Sequence, residues 1–405
     1  MKTQKIVDGI FAVHADIKKS RYFEGLWEIP CGVTLNSYII QSDGVCAMID
    51  LLREWEDSVA QYETQLTSLN LTFQNIDYLI LNHLEPDHVA FLKEFISINP
   101  SATIVSTEKG CLLVKNFLHV DCNLKVVEDG DELLIGKIPL KFFETPNIHW
   151  PETMMTYAPE QKILFSCDAF GSYGTVGDNI FSHELSPEKI KKFENYALEY
   201  YANIVSSFSD FVNRGLEKLS ALPIDIICPS HGLIWWKNCD KIVNDYKKYA
   251  SYNLDKDALE KEVCILYSSM YGFTLKGVAA FIKGIESEGV KYTFRRIPDN
   301  SLSETLAVAY RARAVVIASP TYEYKLFPPM AHVLDLFARK HFSGKISQYI
   351  GSWGWVGGGK REYDAIMEKL NWDDQPSFTW QGYPTEDDLK ALFREGIKMA
   401  RLVKK

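Results

Sequence analysis

The chain has 405 residues, 46% of them hydrophobic, and a formal net charge of -9. It is long enough for two or three domains with sizeable cores, and its acidic balance argues against nucleic acid or an anionic membrane as the main partner. Residues 1–20 carry no signal-peptide core, no run approaches the length of a bilayer span, and eight cysteines are scattered singly without a Cys-x-x-Cys pair, so a reducing, cytoplasmic setting is expected.

In chain order, residues 35–41 and 45–49 flank Ser42-Asp43-Gly44 and read as a hairpin. A helix over 54–69 precedes an apolar strand at 78–81, which delivers the stretch Asn82-His83-Leu84-Glu85-Pro86-Asp87-His88. Pro86 argues against a regular helix or a central strand, so the stretch reads as a loop at a strand end. There His83, Glu85 and Asp87 can turn toward one point while His88 reaches a second, a layout for two metals rather than one. Further strands are expected at 103–106, 124–127, 140–143, 154–157, 163–166 and 224–228, and helices at 92–98, 108–117 and 186–211. This mixture suggests layered α/β structure with helices outside packed sheets. His149 follows the strand at 140–143, Asp168 ends the one at 163–166, and His231 follows the one at 224–228. All three sit at strand exits, where loops meet over a rigid sheet. Singly, each could be a hydrogen-bonded structural residue or a turn residue; with the stretch at 83–88 they form a candidate set.

From residue 241 to 261 the sequence turns polar and charged, and a domain boundary is expected near Leu254. Beyond it, strands at 263–267, 292–296, 314–318 and 346–350 alternate with helices at 275–288, 302–310, 330–339, 361–370 and 386–403, the rhythm of a doubly wound parallel sheet. The first strand-to-helix loop, Ser268-Ser269-Met270-Tyr271-Gly272-Phe273-Thr274, offers hydroxyls and backbone N–H groups at a helix start, where a phosphate can bind. Two later loops, one holding Pro320, Thr321, Tyr322 and Glu323 and the other Ser352, Trp353, Gly354, Trp355, Gly357 and Gly358, bring aromatic rings and glycine backbone to the same edge. They suit a flat ring system.

The set His83-x-Glu85-x-Asp87-His88, His149, Asp168 and His231 resembles the metal signature of the metallo-β-lactamase fold in its flavodiiron variant. Zinc hydrolases of that fold typically carry His where this chain has Glu85. The three loops of the second half resemble the FMN site of flavodoxin, and together the two resemblances cover nearly the whole chain. They imply an N-terminal metallo-β-lactamase-like αβ/βα sandwich over 1–253 and a flavodoxin-like doubly wound parallel sheet over 254–405. One iron would take His83, Glu85 and His149, the other Asp87, His88 and His231, with Asp168 bridging. Three carboxylates suit ferric iron better than a histidine-rich zinc site does. For FMN, the resemblance puts Ser269, Gly272 and Thr274 on the phosphate and Thr321, Tyr322, Trp353, Gly354 and Trp355 along the flavin. The family often has a small polar residue near Phe273, so a changed hydrogen bond is expected there.

The implied activity is that of a soluble oxidoreductase reducing dioxygen to water, nitric oxide to nitrous oxide, or both. Electrons would come from an external donor such as a rubredoxin, a flavoprotein reductase or, in some relatives, a deazaflavin. A head-to-tail homodimer or a dimer of dimers is implied as well. The choice between gases depends on groups near the open iron position, with the Trp27 and Trp150 neighbourhoods as candidates. Two other readings remain open at this point: a zinc hydrolase with a second domain used for binding, and an oxygen or nitric oxide sensor without turnover.

Overall fold

The structure, a computed structural model, describes residues 1–237 and 239–405. The chain divides into two units, Met1–Tyr201 with Asp210–Lys247 and Ala202–Ser209 with Lys248–Lys405.

The first unit is built on two sheets. One orders seven strands as Gln4–Val7, Ile10–Ile17, Val33–Ser42, Val45–Ile49, Tyr78–Ile80, Thr103–Ser106 and Asn123–Val126, antiparallel through the first four and parallel from Val45–Ile49 onward. The other orders Glu132–Ile135, Ile138–Glu144, Met154–Ala158, Ile163–Cys167, Ile226–Pro229 and Trp235–Trp236, with one parallel pair, Ile163–Cys167 beside Ile226–Pro229. The sheets pack face to face: the Tyr38 hydroxyl donates to the Pro229 carbonyl at 2.6 Å, and the rings of Tyr38 and Phe165 lie 5.0 Å apart. Helices Ser58–Ser68 and Leu92–Ile98 close the other face of the first sheet over a core containing Tyr62, Leu66, Leu79, Leu92 and Phe95.

Some elements depart from expectation for local reasons. Pro86 opens a short helix, Pro86–Val89, instead of lying in a loop. At the first helical position its missing N–H costs nothing and its fixed φ suits the turn. The strand Ile10–Ile17 has no readable alternation because almost all of it is buried, polar His14 and Asp16 included. The helix expected over 186–211 ends at Tyr200 and passes through a wide turn, Tyr201–Val205, before a new helix, Ser209–Leu219. Ser206 and Ser209 hydroxyls donate to the Ala202 and Ser206 carbonyls there, competing with the regular ladder. The polar stretch expected to be a linker is largely a helix, Cys239–Leu254, and the exchange between units falls within it at Lys247 and Lys248.

In the second unit five parallel strands run in the spatial order Lys291–Arg296, Glu260–Tyr267, Ala312–Ala318, Ile346–Trp353 and Asp373–Gln381. Counted along the chain this is order 2-1-3-4-5, a doubly wound sheet that reverses direction between its first and third strands. The fifth strand is not evident from sequence because Asp373-Asp374-Gln375-Pro376 lacks an apolar run; as an edge strand it tolerates the proline.

Candidate metal centre and flavin pocket

Each candidate metal donor is delivered by the edge of a sheet. Beyond Tyr78–Ile80 the chain is held by Asn82, whose N–H donates to Asp50 Oδ1 at 2.8 Å and whose carbonyl accepts from Met154 N at 3.0 Å. Glu85 caps the short helix from an extended conformation, and Asp87 and His88 occupy its first turn. Cys167, at φ 53, turns the chain so that Asp168 leaves its strand buried. His231 Nδ1 is 3.1 Å from the Thr34 carbonyl, which aims Nε2 inward. Gly232 follows at φ 78, and a side chain there would clash with Ser172, so only glycine fits behind His231.

The structure brings all seven candidate donors into one cluster. His83, Glu85, His149 and Asp168 form one group of converging ligand atoms, and Asp87, His88 and His231 form another. Asp168 lies between them. Its Oδ2 is 3.2 Å from His149 Nε2 and 3.5 Å from His83 Nε2, while its Oδ1 is 3.1 Å from His88 Nε2 and 3.4 Å from His231 Nε2. Glu85 Oε2 closes the first group at 3.0 Å from His149 Nε2, and Asp87 Oδ2 the second at 3.2 Å from His231 Nε2. His88, adjacent to Asp87 in sequence, thus points into the cluster.

These groups perturb one another strongly. Burial alone would lower His149 and His231, but Asp168 with Glu85, and Asp168 with Asp87, push them up to about 10 and about 9. Burial would raise Glu85, yet His149 and His83 hold it well below the usual carboxylate range. Both oxygens of Asp87, Oδ2 of Asp168 and Nε2 of His149 and His231 are buried without a hydrogen bond among the described residues. Buried, converging, unsatisfied donors of mixed imidazole and carboxylate type fit a pair of metal ions, which would replace the protons and satisfy the lone pairs together.

Of the neighbours expected from sequence, Trp150 packs against the cluster, whereas Phe23, Tyr200, Asp50 and Glu152 escape sequence reasoning. The His83 and Trp150 rings pack edge to face at 5.2 Å, and Phe23 and Tyr200 lie 5.5 and 5.7 Å from His231. Asp50, buried, also accepts from the Ser230 hydroxyl at 3.0 Å, and buried Glu152 contacts His83. Trp27 is buried with its Nε1 donating to Glu24 at 2.9 Å.

In the second unit a cavity of about 340 Å³ opens at the switch point of the parallel sheet. Of the expected loop residues it is lined by Ser269, Met270, Tyr271, Phe273, Thr274, Pro320, Thr321, Tyr322, Glu323, Ser352, Trp353, Gly354 and Trp355; Gly382 joins them from beyond the fifth strand. Ser268, Gly272, Gly357 and Gly358 do not line it. The Ser268 hydroxyl instead donates to the Ile297 carbonyl at 2.9 Å, and Gly272, at φ 87, caps the helix Phe273–Ser287. The first residues of that helix, Phe273 and Thr274, line the cavity, a place where helix-start N–H groups can hold a phosphate, and Trp355, 75% exposed, offers an indole face for a flat ring.

Residues 33–232 match the family model described as ODP family beta lactamase. A nitric oxide reductase of Moorella thermoacetica is 29% identical over 403 residues, covering 98% of this chain and 97% of that protein. The solved rubredoxin oxygen:oxidoreductase of Desulfovibrio gigas superposes with a TM-score of 0.92 at 27% identity, over 99% of this chain and 98% of that one. The flavodiiron protein of Giardia intestinalis gives the same TM-score, 0.92, at 25% identity, over 100% and 97% of the two chains. This chain belongs to the flavodiiron protein family. Its fold is therefore a metallo-β-lactamase-like domain joined to a flavodoxin-like one, and its cofactors are those of flavodiiron proteins, FMN and a diiron centre. The donor cluster and the switch-point cavity fit those two groups. No helix among the described residues is long and apolar enough to cross a membrane.

Proposed function

We propose that this protein is a soluble, cytoplasmic flavodiiron reductase that converts dioxygen to water, nitric oxide to nitrous oxide, or both, with electrons passing from an external donor through FMN to the diiron centre. The observation that carries the reading is Asp168, with one oxygen facing the imidazoles of His83 and His149 and the other those of His88 and His231. On this reading His83, Glu85 and His149 hold one iron, Asp87, His88 and His231 the other, and Asp168 both. Residues 1–253 make the diiron domain and 254–405 the FMN domain. Ser269 and Thr274 hold the phosphate, with Gly272, expected there from sequence, shaping the turn that caps the helix, while Thr321, Tyr322, Trp353, Gly354 and Trp355 line the flavin.

When bound, FMN and two ferrous irons together supply the four electrons that dioxygen needs on the way to two waters, or the two that a pair of nitric oxide molecules needs. The protein's own residues do the rest. His231 is fixed by the Thr34 carbonyl and His83 by Glu152, so neither ring reorients when a gas molecule enters. Phe23, Tyr200 and Trp150 wall the cluster with rings and keep bulk water from it.

The relatives support a redox reading over a zinc hydrolase, since a flavin cavity has no task in hydrolysis. For partners we propose a reduced rubredoxin or a flavoprotein reductase as donor, and a head-to-tail homodimer or a dimer of dimers. Exposed Tyr271, Tyr324 and Trp355 near the flavin cavity, 83%, 63% and 75% exposed, provide apolar surface for a second copy to cover. A monodisperse monomer with full turnover would refute the dimer.

The test is consumption of each gas by the iron-loaded, FMN-replete protein supplied with reduced rubredoxin. Steady turnover of either gas is expected. Stoichiometric binding without turnover would make the protein a sensor, and zinc with no flavin absorption would make it a hydrolase. His83→Ala is expected to abolish turnover by emptying one iron position while leaving the yellow colour; unchanged activity refutes the role given to His83.

A further inference from the structure

Among the buried carboxylates near the cluster, Glu152 has a geometry that a packing role does not explain. It follows His149 by three positions in His149-Trp150-Pro151-Glu152, yet it does not join the converging donors. Its Oε1 lies 2.7 Å from His83 Nδ1 and also accepts from Leu84 N at 3.0 Å. Its carboxyl group is fully buried, and its Oε2 has no hydrogen-bond partner among the described residues. The peptide behind it is pinned as well, since the Thr107 hydroxyl donates to the Glu152 carbonyl at 3.0 Å. A buried anion with two donors on one oxygen and none on the other is costly unless it serves the group it faces.

We propose that Glu152 is a positioning residue for His83: by accepting the Nδ1 proton it fixes the tautomer that leaves Nε2 free toward Glu85 and Asp168, and it makes that nitrogen a stronger metal donor. The same carboxylate holds Leu84 N, so it sets both the ring and the backbone that carries it. The partner of His231 is different in kind, a neutral carbonyl from Thr34. Glu152 therefore acts on the position shared by His83, Glu85 and His149 and leaves the other position alone. This inference rests on the diiron reading above for the identity of the metal, though not for the geometry.

The experiment uses the full-length protein with ⁵⁷Fe. Glu152→Gln keeps the shape and an acceptor for Leu84 N while removing the charge, and Glu152→Ala removes the contact. Iron affinity by chelator competition and Mössbauer spectra resolving the two positions are compared with wild type, with FMN content as the check on folding. Both variants are expected to weaken one iron of the two, on the order of 10- to 100-fold, and to change one subspectrum, with FMN retained. Wild-type affinity with both subspectra unchanged in Glu152→Gln overturns the proposal. Equal loss of both irons overturns the assignment to His83. If Glu152→Ala fails to fold, Glu152→Gln alone decides. A wild-type protein that takes up zinc and no iron sinks the diiron reading instead, and the affinity comparison is then made with zinc, where the same one-position loss supports the role of Glu152.

Discussion

Lys345 is a cation with no exposed surface, held by the carbonyls of Tyr310 at 2.7 Å and Ala312 at 3.0 Å. These carbonyls lie at the end of the helix Leu302–Arg311, where the partial negative charge of the helix favours an ammonium. Burial nevertheless pulls its pKa down from 10.5 to about 7. Between those values the unfolded chain binds a proton that the folded one does not, so stability rises with pH across that window and is lost as pH falls through 7. Unfolding free energies of wild type from urea titrations are expected to gain on those of Lys345→Met from pH 7 to pH 10, by up to about 1 kcal/mol per pH unit; parallel curves would show that the ammonium stays charged throughout. At the same scale, the seven candidate donors can be picked out from sequence because each follows an apolar run that reads as a strand. Asp50 and Glu152 cannot. Asp50 also ends an apolar run, Val45–Ile49, and Glu152 follows a turn, but their partners, Asn82 N and His83 Nδ1, lie 32 and 69 positions away, so nothing in their own neighbourhood marks them.

At the scale of elements, the helix Phe273–Ser287 and the strand Ile346–Trp353 share a hydrogen bond between Thr274 Oγ1 and Ser352 Oγ at 2.8 Å. That contact ties the helix start at the cavity to the loop carrying Trp353 and Trp355. Thr274→Val keeps the shape and removes the hydroxyl, and FMN affinity is expected to fall roughly 10-fold, since one hydrogen bond is worth about 1–1.5 kcal/mol; a fluorescence titration of released FMN measures it. Elements were legible where period and length agreed. The first four strands of the second unit's sheet, in chain order, read as runs between helical patterns, and sequence alone gives their order of appearance and the rhythm of a parallel sheet. Elements were hidden where composition and context disagreed. Pro86 signals a break yet starts a helix, the charged run before Leu254 signals a linker yet forms a helix, and Asp373–Gln381 signals a loop yet adds an edge strand. In the last two, tertiary context overrides local preference; Pro86 instead follows a local one, the first position of a helix.

Taken whole, the chain carries two sites of different make. The switch-point cavity is assembled from loops of a single sheet edge, and its parts lie in chain order along that edge. The metal cluster needs two sheets, because His83 and His88 follow a strand of one, and His149, Asp168 and His231 follow strands of the other. Among them only Asp168 faces both groups of imidazoles. An ion held at either group would fix that carboxylate and would leave its other oxygen, already desolvated, available to a second ion. Loading is therefore expected to be cooperative: native mass spectra at substoichiometric iron should show empty and doubly filled chains, with half-filled ones scarce. Changing Asp168 to Asn would weaken that coupling and let singly occupied chains accumulate.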